Sequence, residues 1–183
     1  MAKQITTPLT DDVVRGLNAG DQVEITGTIY TARDQAHAYL AEAIERGSRV
    51  PFDLTGQIIF YAGPSEVPPG KVSGAIGPTT SARMDPFTPT LLARGLKGMI
   101  GKGPRSDDVK AALHEFSAVY FAAPGGAAAL LTSYIKKSEV FAYPELGPEA
   151  VYKLEVEKLP VIVAMDAHGR DLYKEGREAY KEL

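Results

Sequence analysis

The sequence predicts one α/β domain spanning residues 1–183, with a mixed sheet. Short runs rich in β-branched residues alternate with runs whose apolar residues recur every three or four positions. This pattern is typical of alternating strands and helices. The predicted strands are short and the chain contains 13 prolines, which favours a mixed over a purely parallel sheet. With 183 residues, 44% of them hydrophobic, the chain can bury one substantial core and is too short for two.

The first strong pattern is a strand followed by a helix. Residues 23–32 (VEITGTIYTA) alternate apolar and polar side chains, which predicts a strand with one buried face. Thr31 and Asp34 have the spacing of a helix-capping pair, so Arg33 is predicted to lie where the strand meets the helix amino terminus. One apolar helical face follows and ends near Gly47; its members are Ala36, Tyr39, Leu40, Ala43 and Ile44.

The middle of the chain is rich in turns. Residues 57–62 (QIIFYA) predict a second strand, and the three prolines within 63–70 predict a loop. Residues 71–76 form a weaker strand pattern. Residues 86–94 predict a helix, because a proline is tolerated in the first helical turn.

In the second half, Ser106 is predicted to cap a helix that carries two aspartates in its first turn. Its inward face consists of Val109, Ala112, Leu113 and Phe116. Residues 118–123 predict a strand, and Gly125 and Gly126 open a predicted helix that runs through Ile135. Further predicted elements are strands at 139–143 and 161–166 and a solvated terminal helix at 173–183.

Composition limits the classes of function. A net charge of −3 and a pI near 5.7 argue against a nucleic acid or an anionic membrane as partner, since both need a broad basic face. The chain has no cysteine, so it supplies no disulfide, thiolate nucleophile or cysteine-ligated metal cluster. It also has no apolar run of bilayer-spanning or signal-peptide length, and we expect it to be cytoplasmic.

Three cations are predicted at the ends of elements. Arg33 and Arg83 each follow a threonine-containing turn, and Lys102 lies between two glycines in GKG. Guanidinium groups bind carboxylates through paired hydrogen bonds and lysine adds a compact charge, so the three together suit a small dianion. The alternative is that they are ordinary exposed charges.

Hydroxyls and one histidine accompany these cations. Thr79, Thr80 and Ser81 follow Gly77-Pro78; such hydroxyls can bind an anion or position a proton-transfer group, or simply cap a turn. His37 is a candidate ligand or proton shuttle, although a histidine in a first helical turn is more often a packing or capping residue. With three histidines and no metal-ligand spacing among them, no zinc site is predicted.

Pro124-Gly125-Gly126 precedes an alanine-rich run, as in a backbone anion site at a helix amino terminus. The segment lacks both the GxGxxG and the GxxxxGK[ST] patterns, so a nucleotide is not predicted. Close helix packing explains these glycines more simply.

Four segments carry a resemblance to a known family. GTIYTARDQAH, GPTTSARMD, MIGKG and APGGAAALL together resemble the β subunit, or carboxy-terminal domain, of the iron–sulfur fumarate hydratases and L-tartrate dehydratases. The resemblance covers roughly residues 10–175, with the segments in the family's order. It implies a swivelling β/β/α fold and a cluster-bearing α subunit whose three cysteines hold a [4Fe–4S] cluster; this chain alone would bind no cofactor.

The resemblance also implies roles for individual residues. Arg33, Arg83 and Lys102 would bind the carboxylates of a C4 dicarboxylate, and Thr79 would act as acid or base beside the reacting carbon. Thr80 and His37 lie in the same matched segments and count as substrate-binding candidates. Phe87 departs from the tyrosine expected in many relatives.

The implied activity is the reversible hydration of fumarate to L-malate in a hetero-oligomer with the α subunit; a homodimer is expected for the chain without it. Dehydration of L-tartrate is the alternative within the family. Two alternatives from other classes are a non-catalytic dicarboxylate-binding module and a free-standing enzyme that needs no cluster.

Overall fold

Strands and helices alternate through residues 1–123 and 128–181, the part of the chain that the computed structural model describes. The strands are β1 (Lys3–Thr6), β2 (Gln22–Thr31), β3 (Ile58–Phe60), β4 (Gly98–Gly101), β5 (Val119–Ala122), β6 (Ile135–Ala142) and β7 (Val151–Met165). The helices are α1 (Asp11–Arg15), α2 (Asp34–Glu45), α3 (Thr88–Ala93), α4 (Asp107–Glu115), α5 (Ala128–Thr132) and α6 (Leu172–Tyr180). Two 3-10 helices lie at Ser81–Met84 and Pro144–Glu149.

The seven strands form one mixed sheet that partly closes on itself. Their order is β1-β2-β3-β4-β5-β7-β6, and β2 also pairs with β7, so β2, β3, β4, β5 and β7 close into a five-stranded ring. The neighbours from β2 to β5 are parallel, whereas β7 is antiparallel to β2, β5 and β6. The predicted α/β class with a mixed sheet is confirmed.

The ring has two buried faces, and alternate residues of each strand point to opposite faces. Ile58 and Phe60 of β3 belong to a core that lies inside the ring, together with Val119 and Phe121 of β5. Their neighbours Ile59 and Tyr120 instead pack with side chains of the helical layer; these include Leu40, Leu91 and Leu113. Burial on both faces explains why the central strands are short and apolar.

Most predicted elements are confirmed with small shifts of their ends. The strand at 23–32, the helix after Arg33, the loop at 63–70 and the helix capped by Ser106 are all present. Ser106 Oγ accepts a hydrogen bond from Val109 N at 3.3 Å, as the capping pattern predicts.

Other predictions are wrong. Residues 71–76 form no strand. Ile135 does not end a helix, because α5 stops at Thr132 and Ile135 begins β6. The predicted cap of α2 is also absent, since the Thr31 hydroxyl accepts from Tyr152 N at 3.1 Å instead. By contrast, the strands predicted at 139–143 and 161–166 are present with shifted ends, as parts of the longer β6 and β7.

β1 and α1 were not predicted. The Pro124–Gly126 segment lies outside the described residues.

In the part of the chain that the structure describes, no helix combines the length and the apolar character needed to cross a bilayer.

Candidate active site

The predicted site residues gather at one edge of the sheet. β2, β3 and β4 are parallel neighbours, so their carboxyl ends lie side by side. Arg33 follows β2 and begins α2 as its N-cap residue. Thr79 N donates a hydrogen bond of 2.8 Å to the carbonyl of Tyr61, directly after β3, and Lys102 follows β4. This edge is where α/β folds commonly assemble ligand sites.

The segment GPTTSARMD (residues 77–85, called the site turn below) is attached to the end of β4. Thr80 and Lys102 form a parallel bridge. Ser81 N donates to the Lys102 carbonyl at 3.0 Å, and Lys102 N donates back to Ser81 Oγ at 3.0 Å. Gly101 is required here, because a Cβ at that position would collide with Ser81 Oγ. Thr79, Thr80 and Lys102 are therefore fixed next to one another.

The three cations have different environments. Arg83 is exposed and paired with Asp34, with 2.6 Å between Arg83 Nη2 and Asp34 Oδ2. Arg33 is half-buried, and its Cδ would lie 3.3 Å from a Cβ placed at Gly63. Lys102 is exposed. Arg33 and Lys102 lie at element ends, as predicted, whereas Arg83 lies within the 3-10 helix Ser81–Met84.

His37 is fully buried below this edge. Its Nδ1 lies 2.8 Å from the Arg33 carbonyl; because a carbonyl only accepts, Nδ1 carries the proton and Nε2 is an acceptor. The ring meets Tyr61 edge-on, with 5.2 Å between the ring centroids. Burial lowers the pKa of His37 from 6.5 to about 4, so the imidazole is neutral at physiological pH.

The three hydroxyl-bearing residues of the site turn differ in solvent exposure. Thr80 is exposed, Thr79 is half-buried and Ser81 is buried. Thr80 precedes the 3-10 helix but makes no side-chain capping bond to it, so the simple capping explanation does not account for it. Ser81 is held by the Tyr120 hydroxyl at 2.8 Å, which makes it part of the scaffold.

Several polar residues next to the candidate site have no site role in the sequence prediction. Asp34 pairs with Arg83, and Arg105 has a completely buried side chain that forms an ion pair of 2.6 Å with Asp85. No local pattern marks Arg105, because it lies in a loop (GPRSDD) where an arginine is usually exposed. Only its distant partners explain its burial.

Buried polar atoms without a hydrogen-bond partner cluster at the same edge. Within residues 1–123 and 128–181 these atoms are Arg33 Nε, Asp34 Oδ1, His37 Nε2 and Arg105 Nη1. A further such atom, Thr7 Oγ1, lies beside Gly27 on β2. Buried polar groups are rarely left without a partner, and three of these four atoms belong to residues at the start of α2, which are Arg33, Asp34 and His37.

The chain does not fit an iron–sulfur cluster. It contains no cysteine, and the described residues include no group of three or more His, Asp or Glu side chains arranged to hold a metal ion. What the edge offers is cationic and hydroxyl hydrogen-bond donors. This arrangement can bind a small anion with carboxylate groups.

A separate cavity of about 440 Å³ lies between the loop after β3 and α5. Its lining includes Lys71, Val72 and Thr132, and none of the predicted site residues contributes to it. The candidate site lies outside this cavity, at the carboxyl ends of β2, β3 and β4, where Thr80, Arg83 and Lys102 are exposed.

The known proteins that this chain resembles include fumarate hydratases and a tartrate dehydratase subunit. Residues 2–176 match the family model described as "Fumarase C-terminus". A protein of Methanocaldococcus jannaschii named putative L(+)-tartrate dehydratase subunit beta is 41% identical over 96% of this chain and 93% of its own length. The anaerobic class I fumarate hydratase of Escherichia coli K12 is 42% identical over 84% of this chain. A putative class I fumarate hydratase of Geobacillus stearothermophilus is 37% identical over 93% of it.

The two fumarate hydratases are much longer than this chain. The match spans 28% of the Escherichia coli protein and 33% of the Geobacillus protein. The chain is therefore similar to one part of those proteins and to nearly all of the archaeal one.

Proposed function

The chain belongs to the fumarase C-terminus family, and from this membership we propose that it is the β subunit of a two-subunit iron–sulfur hydro-lyase. In this proposal it binds the carboxylates of a C4 dicarboxylate and supplies a proton-transfer hydroxyl. A separate α subunit holds a [4Fe–4S] cluster and completes the site. The observation that carries the proposal is the grouping of Arg33, Arg83, Lys102 and Thr79 at one open sheet edge.

Two findings support a partner. The relative from Methanocaldococcus jannaschii, which this chain matches over 93% of its length, is named as a β subunit. In the Escherichia coli enzyme the match covers 28% of the length, which leaves about 72% outside it. At the candidate site, Thr80, Arg83 and Lys102 are exposed, so a partner placed against this edge can reach them. We propose that the partner docks on this edge.

The proposed role of the cations follows from the chemistry of hydration. Water adds across a carbon–carbon double bond, with the hydroxyl on one carbon and a proton on the other. In the reverse direction, the proton removed is adjacent to a carboxylate, and negative charge builds on that carboxylate as the proton leaves. Cations fixed beside it stabilise this charge more in the transition state than in the ground state.

Thr79 is the proposed proton-transfer residue. Its backbone is fixed through the Tyr61 carbonyl at 2.8 Å, beside Thr80 and Lys102. A threonine hydroxyl is a weak base and needs activation, which an adjacent ammonium such as Lys102 favours by stabilising the alkoxide. Thr80 is proposed to donate a hydrogen bond to a substrate carboxylate.

The preferred substrate is fumarate, interconverted with L-malate. L-tartrate is the second candidate, because the full-length archaeal relative carries that name. We further propose a cytoplasmic location and a homodimeric form for the chain without its partner. A non-catalytic dicarboxylate-binding module is the alternative of a different class, and it would bind fumarate but never turn it over.

The test is anaerobic co-expression with a candidate α subunit, a protein that carries the three cysteines needed to hold the cluster. Hydration and dehydration rates are then measured with fumarate, mesaconate, L-malate and L-tartrate. We expect turnover of at least one of these substrates, with a higher rate for fumarate than for L-tartrate. Binding of fumarate without turnover of any of them would support the non-catalytic module instead.

A further inference from the structure

We propose that Arg105 is a positioning residue that fixes the site turn against the ends of β3 and β4, and thereby sets the geometry of Arg83, Thr79 and Lys102. It contacts no substrate itself. The inference rests on the proposed function, because it concerns the same carboxylate-binding site.

Arg105 joins three separate segments through its planar guanidinium. Its Nε donates to Asp85 Oδ1 at 2.6 Å, at the end of the site turn. Its Nη2 donates to the Thr88 hydroxyl at 2.8 Å, at the start of α3, and to the Tyr61 hydroxyl at 3.1 Å, directly after β3. A forked cation with donors in fixed directions is the side chain best suited to such a junction.

Two tyrosine rings enclose the guanidinium. Its Cζ lies 5.1 Å from the ring centroid of Tyr61 and 4.8 Å from that of Tyr120, within the range of cation–π attraction. The Tyr120 hydroxyl in turn bonds Ser81 Oγ and the Gly103 carbonyl, each at 2.8 Å. Arg105 is thus linked through Tyr120 to both sides of the bridge between the site turn and β4.

The second oxygen of Asp85 strengthens the junction. Asp85 Oδ2 accepts from Ser106 N at 2.8 Å, so the two consecutive residues Arg105 and Ser106 hold one carboxylate. Because Ser106 also caps α4, the end of the site turn is attached to the first turn of a helix. The start of the turn is already attached through Thr79 and Ser81, so both of its ends are fixed.

Stability alone does not explain a buried ion pair at this place. The Arg105 side chain is 0% exposed and that of Asp85 is 13% exposed, and apolar side chains of similar volume often stabilise a protein as well as such a pair does. A directional ion pair adds a fixed orientation. The exposed Arg83 lies between the two attached ends, and among the described residues its side chain is held by Asp34 of α2 alone.

Arg105→Lys tests the inference, because lysine keeps the charge but has no planar fork to bond Asp85, Thr88 and Tyr61 together. In the assembled enzyme we expect kcat/KM to fall at least tenfold, with KM raised. The matched control is Lys97→Met at the opposite end of β4, where Lys97 is paired with Asp11 at 2.6 Å and is only 14% exposed. This control should lower the melting temperature while leaving kcat/KM within twofold.

The double variant Arg105→Met/Asp85→Leu separates positioning from stability. Removing both charges leaves neither one buried and unpaired, so we expect the melting temperature to recover relative to Arg105→Met. The kinetic defect should persist, because the turn has lost its attachment. Recovery of kcat/KM together with stability would overturn the inference, as would a wild-type kcat/KM for Arg105→Lys.

Amide hydrogen exchange on the full chain gives a readout independent of catalysis. In Arg105→Lys we expect the amides of Ser81, Lys102 and Ser106 to exchange at least tenfold faster, while those of β7 remain protected. Unchanged exchange at these three amides would contradict the inference even if the wild-type enzyme had no hydro-lyase activity. Conversely, an inactive wild-type complex with the expected exchange pattern would overturn the proposed function and leave the role of Arg105 in ordering the turn supported.

Discussion

Arg83 donates two hydrogen bonds to a single oxygen of Asp34, from Nε at 2.9 Å and from Nη2 at 2.6 Å. The other oxygen of that carboxylate is buried and has no partner within the described residues. Asp34 begins α2, so the ion pair ties the site turn to the element that carries Arg33 and His37. An arginine proposed to bind a substrate carboxylate therefore already holds a protein carboxylate.

Asp34→Asn should tighten substrate binding. The amide oxygen still accepts from Arg83 and keeps it oriented, whereas the negative charge that opposes a dianion is gone. We expect KM for the dicarboxylate to fall up to about fivefold at low ionic strength, since charges a few ångströms apart in water interact by about 1 kcal/mol. The effect should diminish as salt is added. A raised KM would show that the charge of Asp34, and not only its geometry, assists binding.

Arg83→Ala should lower kcat/KM by about one to two orders of magnitude. A charge-assisted hydrogen bond contributes about 1.5–3 kcal/mol, and each 1.4 kcal/mol corresponds to a factor of ten. Steady-state kinetics of the assembled enzyme provides the measurement, and Arg46→Ala, which breaks an exposed pair with Glu42 on α2, is the control. Near-normal kinetics for Arg83→Ala would remove this residue from the site.

Thr79→Val should spare KM and reduce kcat by about a hundredfold or more, as expected for loss of a general acid or base. Valine has nearly the same shape, and the bond from the Thr79 amide to Tyr61 is retained. Thr80→Val is the matched comparison, and its main effect should be on KM. If Thr79→Val raised KM and left kcat intact, the proton-transfer role would be wrong.

His37 should make stability depend on pH. Its pKa is lowered from 6.5 to about 4 by burial, so between these values the unfolded chain binds a proton that the folded chain does not. The stabilising contribution of the neutral imidazole is complete above pH 6.5 and is lost progressively as the pH falls towards 4. At pH 5 the loss amounts to about 2 kcal/mol.

The matched variant for this prediction is His37→Asn, whose amide can still donate to the Arg33 carbonyl but does not titrate. Urea unfolding of both proteins at pH 8 and pH 5 gives the comparison. The free energy of unfolding of the wild type should fall more than that of the variant. Equal losses would mean that His37 titrates normally in the folded chain.

Sequence patterns predicted where the candidate site residues lie in the fold, but not which residues support them. The predicted site residues follow strand ends and turns that are recognisable from neighbouring residues, so these signals are local. The residues are Arg33, Thr79, Thr80, Arg83 and Lys102. The environment of Arg105 is not local, because its partners Asp85, Thr88 and Tyr61 lie 20, 17 and 44 residues away. Nothing within its own segment distinguishes it from an exposed arginine.

The errors in the predicted fold have the same origin. β6 carries exposed lysines and lies at the edge of the sheet, where pairing with β7 decides its conformation. β7 contains Pro160, which interrupts its strand pattern, yet Pro160 pairs with Glu24 of β2. Likewise, the Thr31 hydroxyl does not cap α2 as predicted, because it accepts a hydrogen bond from Tyr152 N, 121 residues away. Long-range pairing overrides local preference in all three cases.

We propose that this chain supplies the cations and the acid–base hydroxyl while a different polypeptide supplies the metal. The most direct measurement is the rate of L-malate dehydration by the purified chain, free of iron, as increasing amounts of the cluster-bearing partner are added anaerobically. We expect no turnover without the partner and a rate that rises until the two polypeptides are equimolar. Full-rate dehydration by the chain alone would contradict it.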